Sequence, residues 1–235
     1  MLKIAGYNMQ KKTIQSFYEN IYTDYLLEGL SEFDSYERNH VLRRIYQQSN
    51  GERLLDLGAG HGNISKFFLD QGYEVYGIEW TTAGAKKLCK IGVQAIQHDI
   101  EDIPYQYADN FFDEVFWGDN IEHLFFPEVV AKEIYRILKP GGRLVLSTPN
   151  HGWIINRLYY LFKGVPRRTE GHKIPIWEWQ HIRYFNKVEI KRFLNYCGFR
   201  NNFGFYGAER RQPFAALSRY FPSIMGSVMV VEVRK

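Results

Sequence analysis

Arg53-Leu54-Leu55-Asp56-Leu57-Gly58-Ala59-Gly60-His61-Gly62-Asn63 is the stretch that decides the fold. Its short apolar run reads as a buried strand. The alternate glycines that follow let the backbone turn tightly and approach a ligand closely. Beyond the turn Ile64, Phe67 and Phe68 share one helical face, with Asn63 placed to cap the helix and Gly72 to end it. Strand, glycine turn and helix open a βαβ unit.

The same alternation extends downstream. Residues 74–79 read as a second strand, and Thr81 or Thr82 caps a helix that buries Ala85, Leu88 and Cys89 and stops at Gly92. Residues 93–96 and 112–117 are the third and fourth strands. Pro127 opens a helix with Val130, Ile134, Ile137 and Leu138 on one stripe. Lys139-Pro140-Gly141-Gly142 then turns the chain into a fifth strand at 143–147. Strands alternating with helices specify an α/β domain with a parallel sheet.

The alternation breaks over 151–185, which is rich in aromatics: Trp153, Tyr159, Tyr160, Phe162, Trp177, Trp179, Tyr184 and Phe185. It resumes at Asn186, which with Glu189 resembles a capping box. The helix there turns Ile190, Phe193, Leu194 and Cys197 inward and ends at Gly198. Apolar segments at 199–206 and 227–233 are expected to close the sheet as an antiparallel pair. Within residues 1–50, Ile14, Phe17, Tyr18, Ile21, Tyr22 and Tyr25 recur at helical spacing, an amphipathic cover for the sheet edge or pocket. The 235 residues make one domain, 1–235.

Composition narrows the class. Hydrophobic residues are 45% and charged residues 24%, the balance of a globular chain rather than a disordered, collagenous or coiled-coil one. No apolar stretch approaches the ~18 residues of a membrane span, and the first residues lack a signal-peptide core. The two cysteines, Cys89 and Cys197, form no C-x-x-C pattern, so a reducing, cytoplasmic location is expected. A net charge of +4 is too small for a strong nucleic-acid binder, although Arg157, Lys163, Arg167, Arg168 and Lys173 cluster with only Glu170 opposing.

The glycine turn also limits the ligand. A dinucleotide fingerprint needs G-x-G-x-x-G, and Asn63 stands where the third glycine belongs. The spacing D-x-G-x-G-x-G suits instead a nucleoside without phosphates, with Asp56 near a charged amino acid tail. Glu79, ending the second strand, is placed to accept both ribose hydroxyls, and Asp99, after the third, to accept from an exocyclic amine.

With these residues the chain resembles the class I S-adenosylmethionine-dependent methyltransferases across 53–198. Residues 54–63 look like their first motif, Glu79 like their ribose-binding acid, and His98-Asp99-Ile100 like their adenine contact. Residues 112–124 are similar to their fourth strand and following turn. Leu138-Lys139-Pro140-Gly141-Gly142-Arg143-Leu144, Ser147-Thr148-Pro149-Asn150 and His181-Ile182-Arg183-Tyr184-Phe185 resemble the type 11 and type 23 branches, which hold ubiquinone-biosynthesis O-methyltransferases and MetW-like proteins of methionine biosynthesis.

The resemblance implies a Rossmann-like fold: a seven-stranded, mostly parallel sheet with helices on both faces and an antiparallel last strand. It implies S-adenosylmethionine as cofactor and S-adenosylhomocysteine as product. The cofactor residues are then Asp56, Gly58, Gly60, Gly62, Glu79, Trp80, Asp99, Ile100, Gly118 and Asp119. Gly118 and Asp119 leave the fourth strand at the pocket mouth, where open α/β sheets bind ligands. Trp80 either stacks on the adenine or simply packs.

For a hydroxyl acceptor, His123 and His151 are the candidate bases, since imidazole titrates in the right range. Each is equally readable as a loop anchor. His181, Trp153 and Tyr184 are candidate substrate contacts. No histidine spacing resembles a zinc site, so no metal is expected. Gly118-Asp119-Asn120-Ile121 is unlike the Asn/Asp-Pro-Pro-aromatic run of amino-methylating nucleic-acid enzymes, and no cysteine follows a proline as in cytosine-C5 enzymes. A small hydroxyl-bearing metabolite, sugar or lipid intermediate leads. A MetW-type partner or regulatory subunit and an RNA- or protein-directed methyltransferase are the alternatives. The segment 151–185 reads as a lid over the acceptor, as plain packing, or, through 153–168, as a peripheral membrane contact. The oligomeric state is left open.

Overall fold

The computed structural model describes residues 37–167 and 181–235. The chain order is α1 (Glu37–Ile45), β1 (Arg53–Leu57), α2 (Asn63–Asp70), β2 (Glu74–Glu79), α3 (Thr82–Lys90), β3 (Gln94–Gln97) and β4 (Phe112–Gly118). A short 3₁₀ turn at Ile121–His123 leads to α4 (Pro127–Ile137), β5 (Leu138–Pro149) and α5 (Ile154–Lys163). Then come α6 (Lys187–Tyr196), β6 (Asn201–Ala208), α7 (Phe214–Leu217), α8 (Pro222–Met225) and β7 (Val228–Arg234). Among the described residues no helix is long and apolar enough to cross a membrane. The helical spacing at 14–25 lies outside the described residues; of the expected cover, α1 is seen, with Val41 and Leu42 buried.

The sheet order is β3-β2-β1-β4-β5-β7-β6. β1 to β5 pair in parallel, and β7 lies antiparallel between β5 and β6. The expected last pair is therefore antiparallel but not a tight hairpin, because α7 and α8 intervene. Side chains alternate between the faces. Leu55, Leu57, Val115, Trp117, Leu144 and Leu146 pack beneath Ile134 of α4 and Ile190 and Leu194 of α6. Leu54, Val75, Phe116 and Val145 face Val41, Leu42, Phe67 and Phe68 of α1 and α2. Both faces are covered, which is why Leu54-Leu55, Val115-Phe116-Trp117 and Leu144-Val145-Leu146 run as consecutive apolar residues.

Arg143 joins α1 to the sheet. Its guanidinium donates to Glu114 Oε2 at 2.6 Å and to the Ile45 carbonyl at 3.0 Å, and lies over the Tyr46 ring.

Three local expectations change. Gly62, not Asn63, is the N-cap of α2: its φ of 83° turns the chain, and Asn63 is already helical. Cys89 is exposed, because it lies beside and not on the buried stripe of α3, which is made of Gly84, Ala85 and Leu88. The turn at 139–142 is drawn into β5, where the register with β4 shifts between Phe112 and Glu114.

Candidate functional site

The chain runs outward from β1 to β3 and returns to β4 on the other side of β1. At this reversal the strand ends part, and a crevice opens at their carboxyl side. The crevice floor is closely built. Gly58 has φ +74°, and a Cβ there would fall 2.5 Å from the Asn120 amide. That amide donates to Gly118 O at 2.6 Å and reaches Leu57 O at 3.5 Å, holding the exits of β1 and β4 together.

Glu79 ends β2 almost fully buried. Its Oε2 accepts from the Gly60 amide at 2.9 Å; its Oε1 accepts from the Thr81 amide at 2.9 Å and the Thr81 hydroxyl at 2.7 Å. Thr81 also caps α3 by accepting from Gly84 N. Gly84 has to be small, since a Cβ would meet Glu79 Cγ at 2.7 Å.

Asp56 lies buried behind the glycine turn and accepts from the Ser65 hydroxyl at 2.6 Å. Burial raises its carboxyl to about 6, although Ser65 and the charge of Arg38 pull the other way. Asp119 takes a left-handed φ of 47°, accepts from the Ser147 hydroxyl at 2.7 Å, and forms an ion pair with Arg38 of α1. Trp80 and Asp99 are half-buried, and Asp99 Oδ1 accepts from the Glu101 amide. Ile100 is buried, with its carbonyl accepting from the Tyr105 hydroxyl at 2.6 Å.

A second group of side chains gathers beyond β4 and β5. Glu122 is buried, and its Oε2 accepts from the Thr148 hydroxyl at 3.1 Å. The amides of Ile182 and Arg183 donate to the Glu122 carbonyl, which binds the returning chain to the 3₁₀ turn. His181 thereby meets His123, the rings 4.6 Å apart and nearly perpendicular. One ligand-type atom from each of Glu122, His123 and His181 lies within 4.8 Å of the others. His151 packs against Tyr184 at 4.3 Å. Burial lowers His151 to about 4; burial, then the neighbouring His123 and His151, lowers His181 to about 3. Both rings are neutral near pH 7.

The structure thus brings His123 and His181 together and sets Tyr184 beside His151. Trp153 is buried instead against Phe214, under the Arg211 guanidinium. Arg168, His172, Lys173, Trp177 and Trp179 lie outside the described residues. Sequence reading gave no site role to Arg38, Gly84, Asn120, Glu122 and Thr148, and read Thr81 as a helix cap, which it is. For Gly84 and Asn120 the signal was adjacency to Glu79 and Gly118; for Arg38 there was none, because its role depends on how α1 docks.

The sequence profile described as a methyltransferase domain matches residues 31–202. The chain is 30% identical over 137 residues to a ubiquinone biosynthesis O-methyltransferase of Aeromonas salmonicida, covering 52% of this chain and 56% of that protein. It is 30% identical over 125 residues to phosphoethanolamine N-methyltransferase 2 of Caenorhabditis elegans, covering 50% of this chain but 29% of that one. A demethylmenaquinone methyltransferase of Staphylococcus carnosus is 26% identical over 224 residues, covering 84% and 89%. The first two matches leave much of each relative unspanned. Among solved structures, a SAM-dependent methyltransferase of Thermotoga maritima superposes with a TM-score of 0.66 at 21% identity, over 95% of this chain and 99% of that one.

The fold is that of the class I S-adenosylmethionine-dependent methyltransferases. The chain belongs to the methyltransferase-domain family.

That family implies S-adenosylmethionine, and the donor set fits it: a buried carboxylate at Glu79 where the second strand ends, a glycine floor, and a buried acid at Asp56. Glu79→Ala is expected to weaken S-adenosylhomocysteine binding by ~1.5–3 kcal/mol, about 10- to 150-fold, as for hydrogen bonds to a charged group. Calorimetry on the folded variant measures this, and NAD should give no comparable heat. A pH series tests Asp56. Binding the ligand's ammonium selects the ionised carboxylate, so affinity should rise as pH climbs from about 5 to about 7 and then level off. Asp56→Asn should flatten that profile.

Proposed function

We propose that this protein transfers a methyl group from S-adenosylmethionine to a hydroxyl oxygen of a small acceptor, with a hydroxylated quinone-type lipid intermediate as the favoured class. The observation that carries this reading is the grouping of Glu122, His123 and His181 at the crevice. A hydroxyl nucleophile has to lose its proton, and the His123 imidazole, set against the His181 ring and beside the buried Glu122 carboxylate, is the base for that loss. The names of the ubiquinone and demethylmenaquinone relatives support the quinone class.

The cofactor supplies an electrophilic methyl on a positively charged sulfur. The chain's own residues bind and orient. Glu79 holds the ribose hydroxyls, Asp56 faces the amino acid tail, and Asp99, Trp80 and Ile100 bound the adenine. Gly58, Gly60 and Gly62 admit the ligand close to the backbone, while Gly118 and Asp119 line the methionine end. Arg38 neutralises Asp119, so that this end does not carry an uncompensated charge. The acceptor hydroxyl is deprotonated at the Glu122–His123–His181 group. His151, too weak a base once buried, serves with Tyr184 as an acceptor wall. Of the segment 151–185, read from the sequence as a lid over the acceptor, residues 168–180 lie outside the described residues. Positioning accounts for most of the rate in such a displacement. Two free cysteines support a reducing, cytoplasmic setting.

A second observation bears on where the acceptor is met. α5 exposes Leu158, Leu161 and Phe162, Val165 follows it, and Arg157 and Lys163 flank them. An apolar face edged by cations suits the surface of an anionic membrane, where a lipid-like acceptor resides.

His123→Ala is expected to lower kcat by about 10²–10⁴-fold with S-adenosylhomocysteine affinity unchanged, measured with hydroxylated quinone analogues. Absence of turnover with every hydroxyl acceptor, despite tight cofactor binding, would favour the partner-subunit reading. Flotation with anionic vesicles should recover the wild type and not Phe162→Glu.

A further inference from the structure

We infer that the cavity between α1 and the chain leaving β6 is a binding site for a phosphate-class anion, separate from the methyl-transfer crevice. Its ligand is held apart from the reacting methyl, whatever the methyl acceptor.

α1 sends side chains to two places. Arg38 reaches Asp119 just past the end of β4. Glu37, His40, Val41 and Arg44 recur at the spacing of one helical face, and Arg38 lies off that face. These four line a cavity of about 390 Å³. Its far wall is Ala208 to Arg210 at the exit of β6, with Ala215, Ser218 and Arg219 in and after α7. α1 also packs on β6 and β7, so both walls stand on the sheet. A volume of that order is typical of a small-molecule site.

The charges on the walls do not cancel. Glu209 faces the cavity, but its carboxylate is already answered. It accepts from Arg211 Nε and Nη2, each at 2.9 Å, and from the Arg210 and Arg211 amides at 2.9 and 3.0 Å. What remains is cationic: Arg44 and Arg219, with Arg210 and His40 beside them, against Glu37. Part of the Glu37 field falls on Arg211 as well. Among the described residues Arg44 and Arg219 make no hydrogen bond or ion pair.

Basic side chains in the last turn of a helix often do no more than complement its dipole. That would account for Arg43 and Arg44 of α1. It does not account for Arg219, which a distant part of the chain brings to the same concavity. Cations gathered on one concave surface reinforce each other's field there, and a bound anion relieves their repulsion. Guanidinium forks match phosphate oxygens two at a time, so two arginines on opposite walls suit one phosphate dianion. Ser218 donates its hydroxyl proton to the Ala215 carbonyl at 2.9 Å, which leaves recognition to the arginines. Val41, Ala208 and Ala215 supply apolar wall for the carbon part of an ester. A soluble phosphate ester and a phospholipid headgroup would present the same group here.

The test is a titration of ¹⁵N-labelled protein with inorganic phosphate at constant ionic strength, following arginine Nε–Hε and backbone amide shifts. The wild type is expected to saturate, with the Arg44 and Arg219 resonances moving most. Arg44→Gln and Arg219→Gln should each raise the dissociation constant about tenfold or more, as for a hydrogen bond to a charged group. Both side chains are exposed, so these variants should fold. Arg192→Gln, on the exposed face of α6, should leave the constant as it is. Wild-type shifts that fail to saturate, or one constant shared by all three variants, overturn the site. Loss of phosphate binding on saturation with S-adenosylhomocysteine puts the anion in the crevice and overturns it too. Competition then separates the sources. Equal displacement of phosphate by glycerol 3-phosphate and by sub-micellar dihexanoylphosphatidic acid supports the site with a soluble ester as its ligand. Displacement at clearly lower concentration by the phosphatidic acid supports it with a lipid headgroup.

Discussion

A carboxylate without access to water constrains more of this molecule than any other single group. Glu79 is buried at the end of β2, and an ion so placed is tolerated only when donors surround it. It draws those donors from two different loops: the Gly60 amide from the turn after β1, and the amide and hydroxyl of Thr81 from the start of α3. The glycine turn is thereby pinned to the second βα unit. α3 approaches so closely that position 84 has no room for a side chain. Crevice shape and the location of its acid are one consequence of satisfying one charge.

Much of this was legible in the sequence, for a reason tied to topology. Strands in the middle of a parallel sheet are covered on both faces, so Arg53–Leu57 and Phe112–Gly118 stand out as apolar runs. Legibility fell toward the sheet edges. β3 is mostly exposed, and Cys89, assigned to the buried stripe of α3, faces solvent beside Ala85 and Leu88, which form that stripe. β7 was readable as a strand but not as an insertion between β5 and β6, since order within a sheet leaves no mark on local pattern.

The site divides in the same way. Asp56, the three glycines and Glu79 sit at the ends of consecutive strands, where position in sequence dictates position in space. The grouping of Glu122, His123 and His181 does not follow that rule. His181 arrives from a distant segment and is placed by backbone bonds to the Glu122 carbonyl. Spacing along the chain gave no sign of it. Trp153 shows the converse. It stands where an acceptor contact was expected, yet its ring is sealed between Phe214 and Arg211.

The placement of β7 bears on how the molecule is made. β5 meets β7 at seven register positions, from Arg143↔Arg234 to Pro149↔Val228. Ser147 and Thr148, whose hydroxyls hold Asp119 and Glu122, lie on that border. During synthesis every parallel strand emerges before Val228 does. Until then the β5 edge is an open template of unpaired amides and carbonyls, a form that invites pairing with other chains. The loops around Gly58–Gly62 and Glu79 can assemble on the nascent chain, whereas the Ser147–Thr148 border awaits the strand that is made after every other strand of the sheet. A ribosome pausing upstream of β7 would therefore hold a chain with the loops after β1 and β2 formed and the Ser147–Thr148 border still bare.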